Sequence, residues 1–214
     1  NFLLERAEVA FTKNHIKDLT KITNIFVPRI INKRIDKIFA EGQIEGEFII
    51  PFDVEGNIGD DYGFSGRVLD ASINITKEFS IKNLTTEINH TKDKSANLFN
   101  IIIKKGYLLD FDLTDSRFEL RRENNETEIK SSLKTRGEFN FLKLKIITSL
   151  LNFNMDNVKD VKGKTDLKTN IDFKLNKKFK INNLVYSLDG EITNTEIHFK
   201  EKKIIKKYLP NYKE

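Results

Sequence analysis

Apolar and polar residues alternate through much of the chain after residue 43, and a two-residue period is typical of strands with one buried face. Ile171, Phe173 and Leu175, for example, alternate with Asp172 and Lys174. Strand and helix patterns do not alternate regularly, so the pattern predicts antiparallel pairing. We therefore expect a mostly β (α+β) fold: an elongated, twisted antiparallel sheet with an apolar concave face, capped or interrupted by a few amphipathic helices.

Two stretches show the helical period instead. The first helix is predicted to begin after Asn14 and to break at Pro28, which lacks an N–H. A second helix would then run to about Ala40 and end at Gly42, which would act as its C-terminal cap. A third helix is predicted between Phe141 and Phe153. These helices would cover part of an apolar sheet face.

Within the strand region, the pattern predicts particular boundaries. Leu69, Ala71, Ile73 and Ile75 are expected to share one face, and a change of parity at Asn83 predicts a β-bulge. A turn is expected at residues 104–106, with a strand following from Tyr107 to Leu113. Loops are expected at residues 53–63, 89–96 and 160–164, and residues 192–199 would form a separate last strand.

A ten-residue skeleton, Phe-x-Ile-x-Asn-Leu-x-x-x-aliphatic, occurs at residues 79–88 and again at 179–188. Each copy follows a glycine, an alternating run and a lysine-containing turn, which suggests two related β-units. The alternative is that two hairpins share turn chemistry by chance. On this basis the chain divides into an N-terminal strand and helical segment (1–42), a first β-meander (43–140), and a helix with a second, partly repeated β-unit (141–214).

Composition narrows the function classes. The chain has 214 residues, of which 38% are hydrophobic and 32% charged, and it has no cysteine. Disulfides, thiolate metal sites and a cysteine nucleophile are therefore excluded. The net charge of +5 comes from interspersed charges, so no nucleic-acid partner is expected. The dense basic cluster at residues 202–207 is expected to be a solvated helix face or a contact with anionic lipid headgroups.

Candidate chemistry is sparse. His15, His90 and His198 are scattered and lack partners at metal-ligand spacing, and no phosphate-binding or nucleophile motif occurs. The stretch from Asp53 to Asp61 does not match the spacing of an EF-hand calcium loop. The aspartates at 110 and 112 are two residues apart, which is typical of a solvent-exposed strand face. No catalytic residue, metal or cofactor is predicted, and we expect a non-enzymatic protein.

The sequence contains no run of 18 apolar residues, so no transmembrane segment is expected within it. It begins without methionine, and we expect it to be a fragment of a longer protein that carries any anchor elsewhere.

Four segments form a distinctive set: Ala40-Glu41-Gly42-Gln43-Ile44-x-Gly46, Gly63-Phe64-Ser65-Gly66-Arg67-Val68-x-Asp70-Ala71, the recurring Phe-x-Ile-x-Asn-Leu hairpin, and Gly137-Glu-Phe139-x-Phe141 followed by a leucine-rich helix and Val161-Lys162-Gly163. Together they resemble the AsmA-like envelope proteins, which include the TamB-type and YhdP-type proteins. The resemblance covers roughly residues 27 to 200.

This resemblance implies a segment of an inner-membrane-anchored, periplasmic protein that carries phospholipid along a hydrophobic β-groove between the inner and outer membranes. The implied partners are phospholipid acyl chains and other envelope membrane proteins. It implies no catalytic residues.

The alternating rows independently offer only hydrocarbon and ring contacts, which suit acyl chains at about 0.8 kcal/mol per buried CH₂. The candidate groove residues are Phe48, Ile50, Leu69, Ile73, Ile75, Phe79, Ile81, Ile101, Ile103, Tyr107, Leu109, Phe111, Leu113, Ile171, Phe173, Leu175, Phe179, Ile181, Leu184 and Leu188. Two alternatives remain: a structural or interaction domain of the envelope with a closed core, and an enzyme that acts on glycans through a carboxylate pair.

Overall fold

A computed structural model describes residues 4–18, 39–59, 61–74, 79–93, 96–123, 126–150, 154–177 and 180–201. Its strands are β1 (Arg6–His15), β2 (Phe39–Pro51), β3 (Gly63–Asn74), β4 (Ser80–Asp93), β5 (Ala96–Leu108), β6 (Phe111–Asp112), β7 (Arg117–Glu123), β8 (Glu126–Asn140), β9 (Val158–Leu175) and β10 (Ile181–Phe199), and helix α1 spans Phe141–Leu150. Residues 16–18 are also helical, at the place where the first predicted helix begins.

The ten strands form a single antiparallel sheet in chain order. β6 and β7 follow one another between β5 and β8, and each pairs with both. The expected mostly β, antiparallel fold is therefore confirmed. Two-residue connections join β4 to β5, β5 to β6 and β7 to β8, as antiparallel strands allow, whereas residues 16–38 separate β1 from β2 and α1 lies between β8 and β9.

Helix α1 confirms the third predicted helix. Asn140 caps its start, since the Asn140 side-chain oxygen accepts a hydrogen bond of 3.0 Å from the Lys143 backbone N–H. Phe141, Leu144 and Ile147 recur at helical spacing and pack against a buried cluster of Phe111, Phe139 and Val161. The helix thus covers one end of the sheet.

The bulge predicted at Asn83 is confirmed. Asn83 has φ 51°, and the pairing register with β3 and β5 shifts around it. Asn183, one hundred residues later in the repeated skeleton, has φ 52°, and the register with β9 shifts there as well. Asparagine adopts this left-handed conformation more readily than most residues, so both copies bend their strand at the same position.

Leu69 is on the other face from the one expected. Val68 pairs with Ile44 and Leu69 with Gln43, whereas Ala71 returns to the apolar face opposite Leu84. The reason is a second bulge at Asp70, which has φ 46°. Leu69 therefore faces the polar side.

The expected strand from Tyr107 to Leu113 was also wrong. β5 continues through Lys104, Lys105 and Gly106, and the chain reverses at Leu109 and Asp110, which have φ 50° and 63°. Leu108 then pairs with Phe111, and Tyr107 with Asp112. Positive φ at both central residues is the signature of a tight hairpin turn. Leucine at such a position gives no turn signal in the sequence.

Other boundaries also differ. Gly42 lies inside β2 and does not cap a helix, because β2 begins at Phe39. The loop expected at residues 89–96 shrinks because β4 extends to Asp93 and β5 begins at Ala96. Residues 160–164 lie within β9, and residues 192–199 belong to the single 19-residue strand β10. β9 and β10 pair along their whole length, and this pairing keeps both strands continuous although each contains a glycine.

Several sequence predictions lie outside the described residues. They include the helices over residues 19–38, the turn at 76–78, the basic cluster at 202–207, and the groove candidates Ile75 and Phe179.

Candidate functional site: the apolar face of the sheet

One row of directly opposed residues crosses eight strands on one face of the sheet. In strand order it contains Val9, Phe48, Phe64, His90, Phe99, Leu120, Ile129 and Phe173. Opposed residues on antiparallel neighbours point to the same face. We call this set the aromatic row. His90 is its only polar member.

A second row lies beside it on the same face, since its members are two residues away along each strand. It contains Phe11, Gly46, Gly66, Ile88, Ile101, Phe118, Ser131, Ile171 and Tyr186. We call this set the glycine row. It crosses nine strands without a charged residue, so the apolar surface extends from edge to edge of the sheet.

The residues that lie between these two rows along each strand face the opposite side of the sheet, and they are polar except for Ala10 and Val185 at the two ends. They are Ala10, Glu47, Ser65, Asn89, Asn100, Glu119, Lys130, Asp172 and Val185. Cross-strand ion pairs continue this chemistry, with Lys104 Nζ 2.9 Å from Glu87 Oε2 and Lys162 Nζ 2.9 Å from Glu196 Oε2. The Glu196 hydrogen bond and charge raise the pKa of Lys162. The two faces therefore differ sharply in polarity.

Three rings meet at the β1 end of the two rows. The Phe48 and Phe64 ring centroids are 4.9 Å apart, and those of Phe11 and Phe48 are 5.7 Å apart. Gly46 and Gly66 leave the space for these rings, because a Cβ on Gly46 would stand 2.9 Å from the Gly66 Cα and 3.0 Å from the Phe64 ring. Glycine here serves close packing of aromatic rings on the sheet surface.

His90 fits into the aromatic row as a neutral ring. It is 3% exposed, and its ring centroid is 4.4 Å from that of Phe99 and 5.2 Å from that of Tyr62. Its Nε2 is 3.1 Å from Asn97 Oδ1. Burial lowers the pKa of His90, an effect that the Asn97 hydrogen bond partly opposes.

The apolar face has a sealed part and a half-open part. The sealed part is a cluster around Val68 (2% exposed) and Ile103 (3% exposed), which also contains Ile16, Ile44, Ala71, Leu84 and Leu113. Most of the aromatic row, by contrast, is only partly buried, as are Ile101 and Ile171 of the glycine row. A ligand could reach these half-open rows without displacing the core.

The sequence-derived groove candidates fall into different environments. Those buried by protein neighbours are Phe79, Ile103, Phe111 and Leu113. Those partly buried are Phe48, Ile50, Leu69, Ile73, Ile81, Ile101, Leu109, Ile171, Phe173 and Leu175. Those exposed are Tyr107, Ile181, Leu184 and Leu188. Only some of them, among which are Phe48, Ile101, Ile171 and Phe173, lie in the two half-open rows.

Sequence reasoning missed five central members of the aromatic row: Phe64, His90, Phe99, Leu120 and Ile129. Each lies in an alternating stretch, but alternation cannot show which residues of different strands stand opposite one another. The register supplies that information.

Within the described part of the chain, no group of three or more His, Asp or Glu side chains is arranged to hold a metal ion. The described helices include none long and apolar enough to cross a membrane. Comparison with models of known protein families, with curated proteins and with solved structures found no match.

Proposed function

We propose that this apolar face binds phospholipid acyl chains along the aromatic and glycine rows. The chain would act without catalysis, as one segment of a periplasmic bridge that carries phospholipid between the inner and outer membranes. The observation that carries the proposal is the continuity of the two rows across eight and nine strands.

The dimensions support an acyl ligand. Eight strands at roughly 4.8 Å spacing give the aromatic row a length of roughly 34 Å. The hydrocarbon core of a bilayer is ~30 Å thick, so one leaflet's chains need about 15 Å. The row is thus long enough for an extended acyl chain to shift along it while remaining in apolar contact.

The chemistry supports the same ligand class. Rings and branched aliphatics offer no directional bonds, and each buried CH₂ contributes about 0.8 kcal/mol wherever it lies along the row. An acyl chain that moves from one strand to the next would therefore not be held at any one position. The charged opposite face keeps the other side of the sheet in water.

The resemblance to AsmA-like envelope proteins adds the cellular setting to this proposal: a periplasmic location and an anchor in the inner membrane. The rows themselves support only the ligand class.

The first test is native mass spectrometry with lipid extraction on protein purified from a lysate that contains membranes. We expect bound phospholipid. A wild-type protein that folds and carries no lipid would refute the proposal.

Two adjacent substitutions in β9 then localise the site. Phe173→Asp places a carboxylate in the aromatic row, whereas Lys174→Asp places one on the polar face. We expect Phe173→Asp to lower the bound lipid about tenfold and Lys174→Asp to leave it unchanged, because an unpaired charge on an apolar contact surface is costly. Circular dichroism and thermal midpoints check that both variants fold.

The sealed cluster favours a second candidate, a structural envelope domain with a closed core. Val68 and Ile103 have the burial of an ordinary core. This candidate predicts a stable, lipid-free protein for which Phe173→Asp lowers only the thermal midpoint.

A further inference from the structure

Strand β10 is a long edge whose side chains are almost all open to solvent. Residues 181–198 are all exposed, with Tyr186 at 75% and Leu188 at 61%. Among the described strands, only β9 pairs with it. The large apolar residues exposed along it are Ile181, Leu184, Val185, Tyr186, Leu188, Ile192 and Ile197. A row of backbone N–H and C=O groups therefore faces outward beside exposed apolar side chains.

Edges that remain in water usually carry lysine, proline or other devices that prevent pairing. β10 contains no Lys, Arg or Pro over its 19 residues, although Lys and Arg make up 37 of the 214 residues. β1, at the other edge of the sheet, contains Arg6 and Lys13. β10 thus lacks the basic residues and prolines that usually block an edge, and between its two bulges it carries only two charged residues, Asp189 and Glu191.

The stretch available for pairing is limited by two bulges. Asn183 has φ 52° and Asn194 has φ 50°, and the register with β9 shifts at both. Between them, residues 185–193 pair regularly with β9.

We propose that β10 pairs antiparallel with β10 of a second copy of this chain, about a two-fold axis at Leu188. Leu188 then stands opposite its own counterpart. Tyr186 stands opposite Gly190, Ser187 opposite Asp189, and Val185 opposite Glu191. Seven residues of each regular stretch are paired, and both apolar faces lie on the same side of the combined sheet.

Charge selects this axis. An axis at Asp189 would oppose two Asp189 carboxylates, and an axis at Gly190 would oppose Asp189 and Glu191 twice. Like charges directly opposite one another destabilise a strand pair. An axis that passes between two residues would place the apolar face of one copy on the same side of the combined sheet as the polar face of the other. An axis at Ser187 would pair only five regular residues.

The opposition of Tyr186 and Gly190 has a precedent in the same sheet. Phe139 stands directly opposite Gly163, and its ring occupies the space that a side chain on Gly163 would fill. Gly190 has φ 137°, and a Cβ there would overlap the carbonyl oxygen of Asp166. The Gly190 position is therefore kept free of a side chain, which leaves room for an aromatic ring from a partner strand.

The absence of cysteine allows a direct test by disulfide formation. Directly opposed strand residues have Cβ atoms about 4.5–5.5 Å apart, near the range that a disulfide bridges. We expect Leu188→Cys to form a covalent dimer under mild oxidation at least about tenfold faster than Val54→Cys, which is 83% exposed in a loop. Equal rates would overturn the proposal. So would preferential crosslinking of Leu188→Cys to Val9→Cys, which would indicate pairing of β10 with β1.

Charge substitutions test the axis without crosslinks. Ser187→Lys would set two lysines opposite two Asp189 residues, and we expect the dimer dissociation constant from sedimentation to fall about fivefold. His198→Lys is the matched control: it lies on the same face, opposite Asp160 of β9 and beyond the paired residues, and it should have no effect. A wild-type chain that remains monomeric at high concentration, or a dimer that both lysines change equally, would overturn the proposal.

Discussion

At the scale of single residues, His90 is the one titratable side chain within the aromatic row. It is almost completely buried between Tyr62 and Phe99, and its hydrogen-bond partner is the amide of Asn97. Burial disfavours the charged imidazolium and lowers the pKa of His90 in the folded state.

This shift predicts a loss of stability in mild acid. The unfolded chain takes up a proton near the ordinary histidine pKa of about 6.5, while the folded chain resists it. The stabilisation is therefore present above that pH and is lost as the pH falls toward the lowered pKa. We expect the unfolding free energy of the wild type to fall relative to His90→Phe between pH 7 and 5, by at most about 1.4 kcal/mol per pH unit. Parallel pH profiles from urea unfolding would contradict this account.

At the scale of strands, the bulges set where each face begins and ends. Asn83 in β4 and Asn183 in β10 occupy the same position of the repeated skeleton and share the left-handed conformation. Without these bulges, the residues that follow would point to the opposite face of the sheet, and the aromatic and glycine rows would be broken.

A β-branched residue at either bulge should therefore destabilise the fold. We expect Asn83→Val to lower the unfolding free energy by about 1–2 kcal/mol, and Asn83→Gly to be tolerated, because only glycine and, less readily, asparagine adopt this conformation at low cost. Asn100→Val, in the regular part of β5, is the matched control and should change stability by less than about 0.5 kcal/mol. Equal effects of Val at both sites in urea unfolding would refute the prediction.

The strands also show what could be predicted from the sequence. Alternation was sufficient for the end of β9, where Ile171, Phe173 and Leu175 alternate with polar residues. Helical spacing was sufficient for α1, and a parity change for the bulge at Asn83. The turn at Leu109 and Asp110 could not be predicted, because leucine carries no preference for positive φ. Gly163 and Gly190 resemble strand breakers, yet both lie within long strands, where pairing with the neighbouring strand overrides their local preference. The aromatic row depends on register across eight strands, which no single segment encodes.

At the scale of the whole molecule, the sheet has a sealed centre and an open edge. The sealed cluster lies under β2 to β5, whereas β10 shows its backbone edge and both side-chain faces to solvent. Local opening should cost most where buried apolar contacts are densest.

Hydrogen exchange should reproduce this gradient. We expect backbone amides of β3, β4 and β5 to exchange slowest, and the outward-facing amides of β10 to exchange fastest in dilute protein. Raising the protein concentration should slow exchange in β10 while leaving β4 unchanged, since pairing between copies covers only that edge. Amides of β10 that are protected as strongly as those of β4 at low concentration would contradict this gradient.

The arrangement of the sheet in chain order also has a mechanical consequence. Because neighbouring strands follow one another in the chain and are held by hydrogen bonds perpendicular to their length, a pull applied to the two ends of the chain would act first on the outermost strands. β10 would peel from β9 bond by bond, and β9 would follow from β8, so extension would proceed as a series of small steps. The sealed centre would yield last, and the protein would lengthen under tension while its core stayed folded.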